Sequence, residues 1–367
     1  MADDRALSHR DDARVCALTS PRGPRAGNTA RAKMEAAMKM VPLGGSGLSV
    51  SQLGFGCMGL AEFYGEALAN AEAEKVLDAA LDRGVNFFDT ADMYGSGRNE
   101  EQLKGFLKRR RKDVVIATKF AIRRGPDGAL IGLSNDPAYI RQACEASLKR
   151  LGVDRIDLYY MHRRDPSVPV EDSVGAMADL VKAGKVGALG LSEVTAATLE
   201  KASNVHPIAA LQSEYSIFTR DVEAEMIPTC RRLGVALVAY SPLGRGILTG
   251  AYRSEKDFSK GDYRMAGNPR FADGALQKNL ELVDKISAIA ERKGATLAQI
   301  ALAWTMAKGD DVIPIPGTKK IARLEENVGS TRIALSKDDI AAIESAAPPG
   351  AVAGDRYNAA AMATVNR

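Results

Sequence analysis

From about residue 50 onward, short β-rich apolar runs alternate with longer amphipathic helical patterns, and this alternation constrains the fold more than any other feature. The clearest strand candidates are residues 85–89, 114–119, 156–162, 186–191, 209–212 and 235–240, with 312–315 a weaker one. Between them, Val170, Val174, Met177 and Val181 share one helical face, as do Ile140, Cys144, Leu148 and Leu151. Asp136-Pro137 marks a turn, with Asp136 placed to cap the helix that follows. Apolar strands separated by helices call for a parallel sheet with helices outside it. Counting residues 53–57 as the first strand gives eight, and eight such units close most naturally into one α/β domain, a (β/α)8 barrel.

Two stretches depart from that rhythm. Residues 241–277 are Gly-rich and polar, which predicts a long binding loop after the seventh strand. Residues 1–37 are rich in Arg, Ala, Asp, Pro and Gly and lack apolar periodicity. They read as a disordered extension ahead of a barrel spanning 38–367, or as the product of a start assigned too early. Met34, Met38 and Met40 stand just before the first structured segment.

Composition excludes several classes. The 50 basic and 46 acidic side chains are interleaved, so the net charge of +4 marks no nucleic-acid face. The basic run at 108–112 reads as a solvated helix end. Cys16, Cys57, Cys144 and Cys230 are scattered and the three histidines form no ligand pattern, which predicts no metal and no disulfide framework. That usage fits a reducing cytoplasm. No stretch of about 18 apolar residues is present, so no membrane span is expected.

Barrels of this type carry their active sites at the C-terminal strand ends. There the sequence sets Asp89, Lys119, His162, Ser192, Gln212 and Tyr240, one after strand upon strand. One polar group at a strand end is commonly a turn residue; six in succession are not. A buried Lys119 needs a carboxylate, and Asp89 is at hand. The loop from Asp89 brings Tyr94 back over the barrel, where the lysine cation is expected to lower its pKa and make it a proton donor. His162 would orient a substrate oxygen.

Other motifs are weaker. Gly54-Phe55-Gly56-Cys57-Met58-Gly59 fits a dinucleotide fingerprint, but the next convincing helix starts near Asn70, so a Rossmann domain is rejected. Gly95-Ser96-Gly97 lacks the Lys-Ser/Thr of a P-loop. Asp89 and Asp92 share one loop, unlike a glycosidase pair. Gly317-Thr318-Lys319-Lys320 followed by Arg323 has the makings of a phosphate site at a helix N-terminus.

Together these segments resemble the aldo-keto reductase family over roughly residues 40–350. The resemblance rests on Leu53-Gly54-Phe55-Gly56, Asn86-Phe87-Phe88-Asp89-Thr90-Ala91-Asp92-Met93-Tyr94-Gly95, Thr118-Lys119, Tyr160-Met161-His162-Arg163, Gly190-Leu191-Ser192-Glu193, Leu211-Gln212-Ser213-Glu214, Ala239-Tyr240-Ser241-Pro242-Leu243-Gly244-Arg245-Gly246 and Ile315-Pro316-Gly317-Thr318 with Glu326-Asn327. It implies a barrel reducing aldehydes or ketones with NADPH, with Asp89, Tyr94, Lys119 and His162 as its catalytic tetrad and Tyr94 as the acid. It further implies that Tyr240 stacks on the nicotinamide and that Ser192 and Gln212 hold its carboxamide. Gly56, Cys57 and Met58 would line that end, and Ser241, Leu243, Gly244 and Gly246 the pyrophosphate. Thr318, Lys319 and Arg323 would take the 2′-phosphate, and Glu326 and Asn327 the adenine.

Much of the family has Ser-Asn where this chain has Ser192-Glu193, and an ionised Glu193 cannot donate to a carboxamide. A late Ala353-Gly354-Asp355-Arg356-Tyr357 would close over the substrate, in a pocket built with Tyr64, Phe120 and the 241–277 loop. A monomer is expected, because the barrel completes its own core. The alternative is a cofactor-binding regulatory barrel, like channel-associated β subunits, with little turnover. A Schiff-base lyase is disfavoured, since Asp89 would keep Lys119 charged.

Overall fold

A period of two runs through the strands and decides which side chains enter the barrel. In the computed structural model, which describes residues 37–258, 262–272 and 274–365, the parallel strands are β3 (Phe55–Gly56), β4 (Phe87–Asp89), β5 (Val115–Phe120), β8 (Ile156–Met161), β9 (Val186–Ser192), β10 (Ile208–Glu214), β11 (Ala236–Tyr240) and β12 (Val312–Pro314). They pair in that order. Gly54 N–H donates to Pro314 O at 2.9 Å and Gly56 N–H to Pro316 O at 3.3 Å, joining the first strand to the eighth. The expected α/β (β/α)8 barrel is what the chain forms.

Phe87, Ala117, Leu158, Tyr160, Ala188, Ala210 and Val238 pack inside, while Phe88, Ile116, Tyr159, Leu189, Leu211 and Leu237 belong to the layer shared with the helices. Large and small residues alternate so the interior fills without overlap. Gly190 illustrates the fit, because a Cβ there would lie 2.3 Å from the Tyr160 ring. The helices cover the outside as their apolar stripes require: Ile140, Cys144, Leu148 and Leu151 are buried on Pro137–Leu151, and Val170, Val174 and Met177 on Val170–Lys182. The Asp136 carboxylate accepts from Ala138 and Tyr139 N–H, capping the first of these. The basic run at 108–112 ends the helix Arg98–Arg110, with Arg109 donating to Glu74 and Asp78 on the exposed surface.

Two antiparallel hairpins lie outside the barrel order. β1 (Met40–Pro42) and β2 (Ser49–Ser51) bury Val41, Leu43 and Val50 against the interior cluster, and Gly45 N–H donates to Gly234 O, closing the N-terminal end. β6 (Ile122–Arg124) and β7 (Leu130–Leu133) flank the opposite, C-terminal mouth. A one-turn helix, Met58–Ala61, opens inside the glycine motif before the helix Asn70–Asp82. Helical periodicity predicts only the second of these, starting near Asn70. The expected extension at 1–37 lies outside the described residues, Ala37 excepted. Among the described residues no helix is long and apolar enough to cross a membrane.

Candidate active site

Strand parity places Asp89, Lys119, His162, Ser192, Gln212 and Tyr240 toward the barrel axis at one end, each two or four residues beyond an interior apolar residue of its own strand. All but Lys119 line a cavity of about 800 Å³ together with Tyr94. Lys119 lies behind them, fully buried. Its ammonium donates to the Asp89 carboxylate, to Thr90 O at 2.8 Å and toward the Tyr94 hydroxyl oxygen at 3.5 Å. Gln212 Nε2 donates to the other Asp89 oxygen at 2.8 Å. Burial pushes the Asp89 carboxyl up and the Lys119 ammonium down, and their mutual attraction opposes both shifts.

The Tyr94 loop is built to return. Gly95, Ser96 and Gly97 take φ values of 57°, 53° and 94°, turning the chain sharply into the helix Arg98–Arg110. Gly95 N–H donates to Glu62 at 2.7 Å, and buried Asn99 accepts from Thr90 Oγ1 and donates to Cys57 O. The Tyr94 and His162 rings meet edge to face at 5.9 Å. Burial first, then Lys119 and Arg163, push the His162 imidazole well below its ordinary value, and its Nδ1 is buried without a partner. The expected lowering of Tyr94 is corrected here. Burial first, then the Asp89 charge, raise the phenol well above its ordinary value, and Arg163 opposes them. The Lys119 charge is already matched by Asp89, so it does not reverse this.

The remaining expected residues divide. Gly56, Met58, Ser241, Leu243, Gly246, Thr318, Lys319, Arg323, Glu326 and Asn327 line the same cavity. Cys57 and Gly244 do not. The Cys57 side chain is fully buried with Sγ toward Phe55 O, and only its backbone N–H touches the site, donating to Asp89 O. Gly244 is buried, facing Ile247 and Leu248 rather than the cavity. Phe120 also leaves the pocket: parity turns it outward onto Tyr159, at 5.0 Å between rings, while Lys119 faces in. Lys319 donates to Tyr64 O at 2.6 Å and Glu66 O at 2.8 Å, fastening the loop after the first strand across the cavity.

Several lining groups lay beyond the sequence reading. Arg163 is buried beside His162 and donates to Ser192 Oγ at 3.2 Å. Arg264, paired with Asp262, lies 4.1 Å from the centre of the Tyr252 ring and 5.1 Å from that of Tyr64. Arg245 pairs with buried Glu214 and lies 4.6 Å from the Tyr357 ring centre. Arg163 directly follows His162, whereas Arg245 and Arg264 sit in the irregular 241–277 loop, where no periodicity assigns a side chain to the cavity. Glu193 is not on the cavity wall: it accepts from Tyr240 and Arg356 instead.

A buried lysine–carboxylate pair behind a tyrosine and a histidine thus gathers ionisable groups at the C-terminal mouth of a closed parallel barrel. The chain belongs to the aldo/keto reductase family, whose sequence pattern matches residues 52–348, and is therefore an oxidoreductase of the carbonyl-acting kind. It is 45% identical over 326 residues to the probable aldo-keto reductase 1 of Glycine max, covering 88% of this chain and 93% of that protein. It is 45% identical over 314 residues to the aldo-keto reductase yakc [NADP(+)] of Schizosaccharomyces pombe, covering 84% and 92%. Among solved structures, the glycerol dehydrogenase AKR11B4 of Gluconobacter oxydans superposes with a TM-score of 0.77 at 26% identity, covering 84% of this chain and 94% of that one. The aldo-keto reductase AKR11C1 of Bacillus halodurans gives 0.68 at 28%, covering 84% and 96%.

Proposed function

We propose that the protein reduces aldehydes or ketones to alcohols with NADPH, using Tyr94 as the proton donor. The observation that carries this reading is the Asp89–Lys119–Tyr94 chain of contacts ending at the cavity wall beside His162. The cavity also fits the cofactor. Bare backbone rims it at Gly56 and Gly317, where a Cβ on Gly317 would lie 2.4 Å from Gly56 O. The helix Ile321–Gly329 starts without a side-chain cap, near Thr318, Lys319 and Arg323 with Lys320 beside them, a donor set suited to a phosphate. Those cations, with the named NADP(+) relative, support NADP over NAD. When bound, the nicotinamide supplies a hydride to the carbonyl carbon.

This chain's own residues do the rest. Tyr240 offers a flat ring at the barrel mouth, and Ser192 and Gln212 offer polar groups beside it. Tyr94 O–H gives its proton to the carbonyl oxygen. Lys119, already donating toward that phenol oxygen, stabilises the phenolate left behind. Asp89 and Gln212 hold Lys119 in line. Neutral His162 orients the substrate oxygen without competing as an acid. Asp89, Tyr94, Lys119 and His162 thus form the catalytic set. The free, buried thiols Cys57, Cys144 and Cys230 fit a cytoplasmic setting, and a barrel that closes on itself fits a monomer.

The test is cofactor consumption across a panel of aldehydes and ketones, run with NADPH and with NADH. Turnover preferring NADPH is expected. Bound NADPH with no turnover across the panel would overturn the reductase and favour a regulatory barrel.

A further inference from the structure

Glu193 presents a physical problem that the proposed reaction does not explain. It follows Ser192 directly, its side chain is fully buried, and its backbone is left-handed at φ 53°, a costly conformation for a residue with a side chain. A carboxylate so placed must be surrounded by donors. Four surround it: Tyr240 O–H at 2.7 Å, Glu214 N–H at 3.0 Å, and both terminal nitrogens of Arg356, at 3.2 and 2.9 Å. Among the described residues Arg356 is the one cation in ion-pair contact with it, and Arg356 is itself 4% exposed.

Arg356 belongs to the C-terminal segment, 163 positions away. The next residue, Tyr357, lines the cavity, and its hydroxyl lies 2.9 Å from the Tyr240 hydroxyl. Thus Tyr240 is held at its hydroxyl from two sides, by Glu193 and by Tyr357. The segment has its own seat. Asn279 bonds Ala353 through both N–H and carbonyl, Asn268 Nδ2 donates to Arg356 O, and Gly354, at φ 82°, packs against Pro269 so closely that a Cβ would lie 2.6 Å away.

We propose that Glu193 is a positioning residue, fixing the Tyr240 ring at the cavity wall and recruiting Arg356 and Tyr357 from the C-terminal segment to complete the clamp. The proposal rests on the reading of Tyr240 as the face that receives the nicotinamide. It assigns Glu193 a place different from that of a direct carboxamide ligand. Glu193 acts through the orientation of Tyr240, and the tail is part of the site rather than a trailing end.

The decisive variants keep the ring and remove its anchor. Tyr240→Phe and Tyr357→Phe each lose one hydroxyl, a change small enough to leave the fold intact; Glu193→Gln removes the charge that holds Arg356. Binding of NADPH and of 2′,5′-ADP is measured in parallel by calorimetry, because 2′,5′-ADP carries the phosphate and adenine but no nicotinamide. All three variants should bind NADPH about 5- to 10-fold more weakly and 2′,5′-ADP as wild type does. Glu193→Gln should also speed amide hydrogen exchange across residues 353–357. Equal weakening of both ligands, or unchanged NADPH binding in Tyr240→Phe, would overturn the clamp. Wild-type protein that binds neither ligand would instead overturn the NADP reading, and the clamp with it.

Discussion

Replacing Asp89 by Asn leaves Lys119 fully buried with no counter-charge, its ammonium facing only neutral acceptors: the amide, Thr90 O and a phenol. Breaking a buried pair from one side costs about 3–5 kcal/mol. Chemical denaturation of Asp89→Asn should show a loss of that order together with loss of turnover. His162 gives a pH signature. An unfolded imidazole titrates near 6.5, whereas burial, then Lys119 and Arg163, hold the folded one well below that. The unfolded chain therefore takes up the proton first, and stability falls as pH drops below about 6.5 toward the folded value. A His162→Gln variant should lose less stability than wild type between about pH 7 and pH 5, read from urea midpoints. At Tyr94 the sign is opposite in use: burial raises the phenol, so the free protein should show no Tyr94 phenolate absorbance up to about pH 10, in a difference titration against Tyr94→Phe. These residues were legible because parity is a sequence property. Lys119 faces in for the same reason that Phe120 faces out, and the pocket assignment of Phe120 failed by one step of that count.

At the level of elements, the seam between the first and last strands is the most demanding contact. Gly317 lies so close to Gly56 O that a methyl group has nowhere to go, since the obstacle is backbone on both sides. Gly317→Ala should destabilise by about 1–3 kcal/mol, in the range of overpacked cores. It should also weaken NADPH binding, measured by thermal shift with and without cofactor. Strands and helices were readable from periodicity to within a residue or two, as the match of 156–162 to Ile156–Met161 shows. The one-turn helix Met58–Ala61 was not, because four residues carry no period. Neither was the role of Glu193. Its partner Arg356 lies in a different element far along the chain, and no local pattern announces an ion pair between them.

For the whole molecule, the barrel gathers side chains from at least six strand ends and two loops into one cavity, and supplies the low-polarity surroundings that make their charges count. In the proposed reaction Tyr94 delivers the proton, with Lys119 and Asp89 behind it. The most direct test compares wild type and Tyr94→Phe for NADPH oxidation with the best carbonyl substrate found, alongside NADPH binding to each. A loss of about 10²–10⁴-fold in kcat is expected, the usual worth of a positioned acid, with cofactor affinity unchanged. A Tyr94→Phe protein that turns over at the wild-type rate would contradict it.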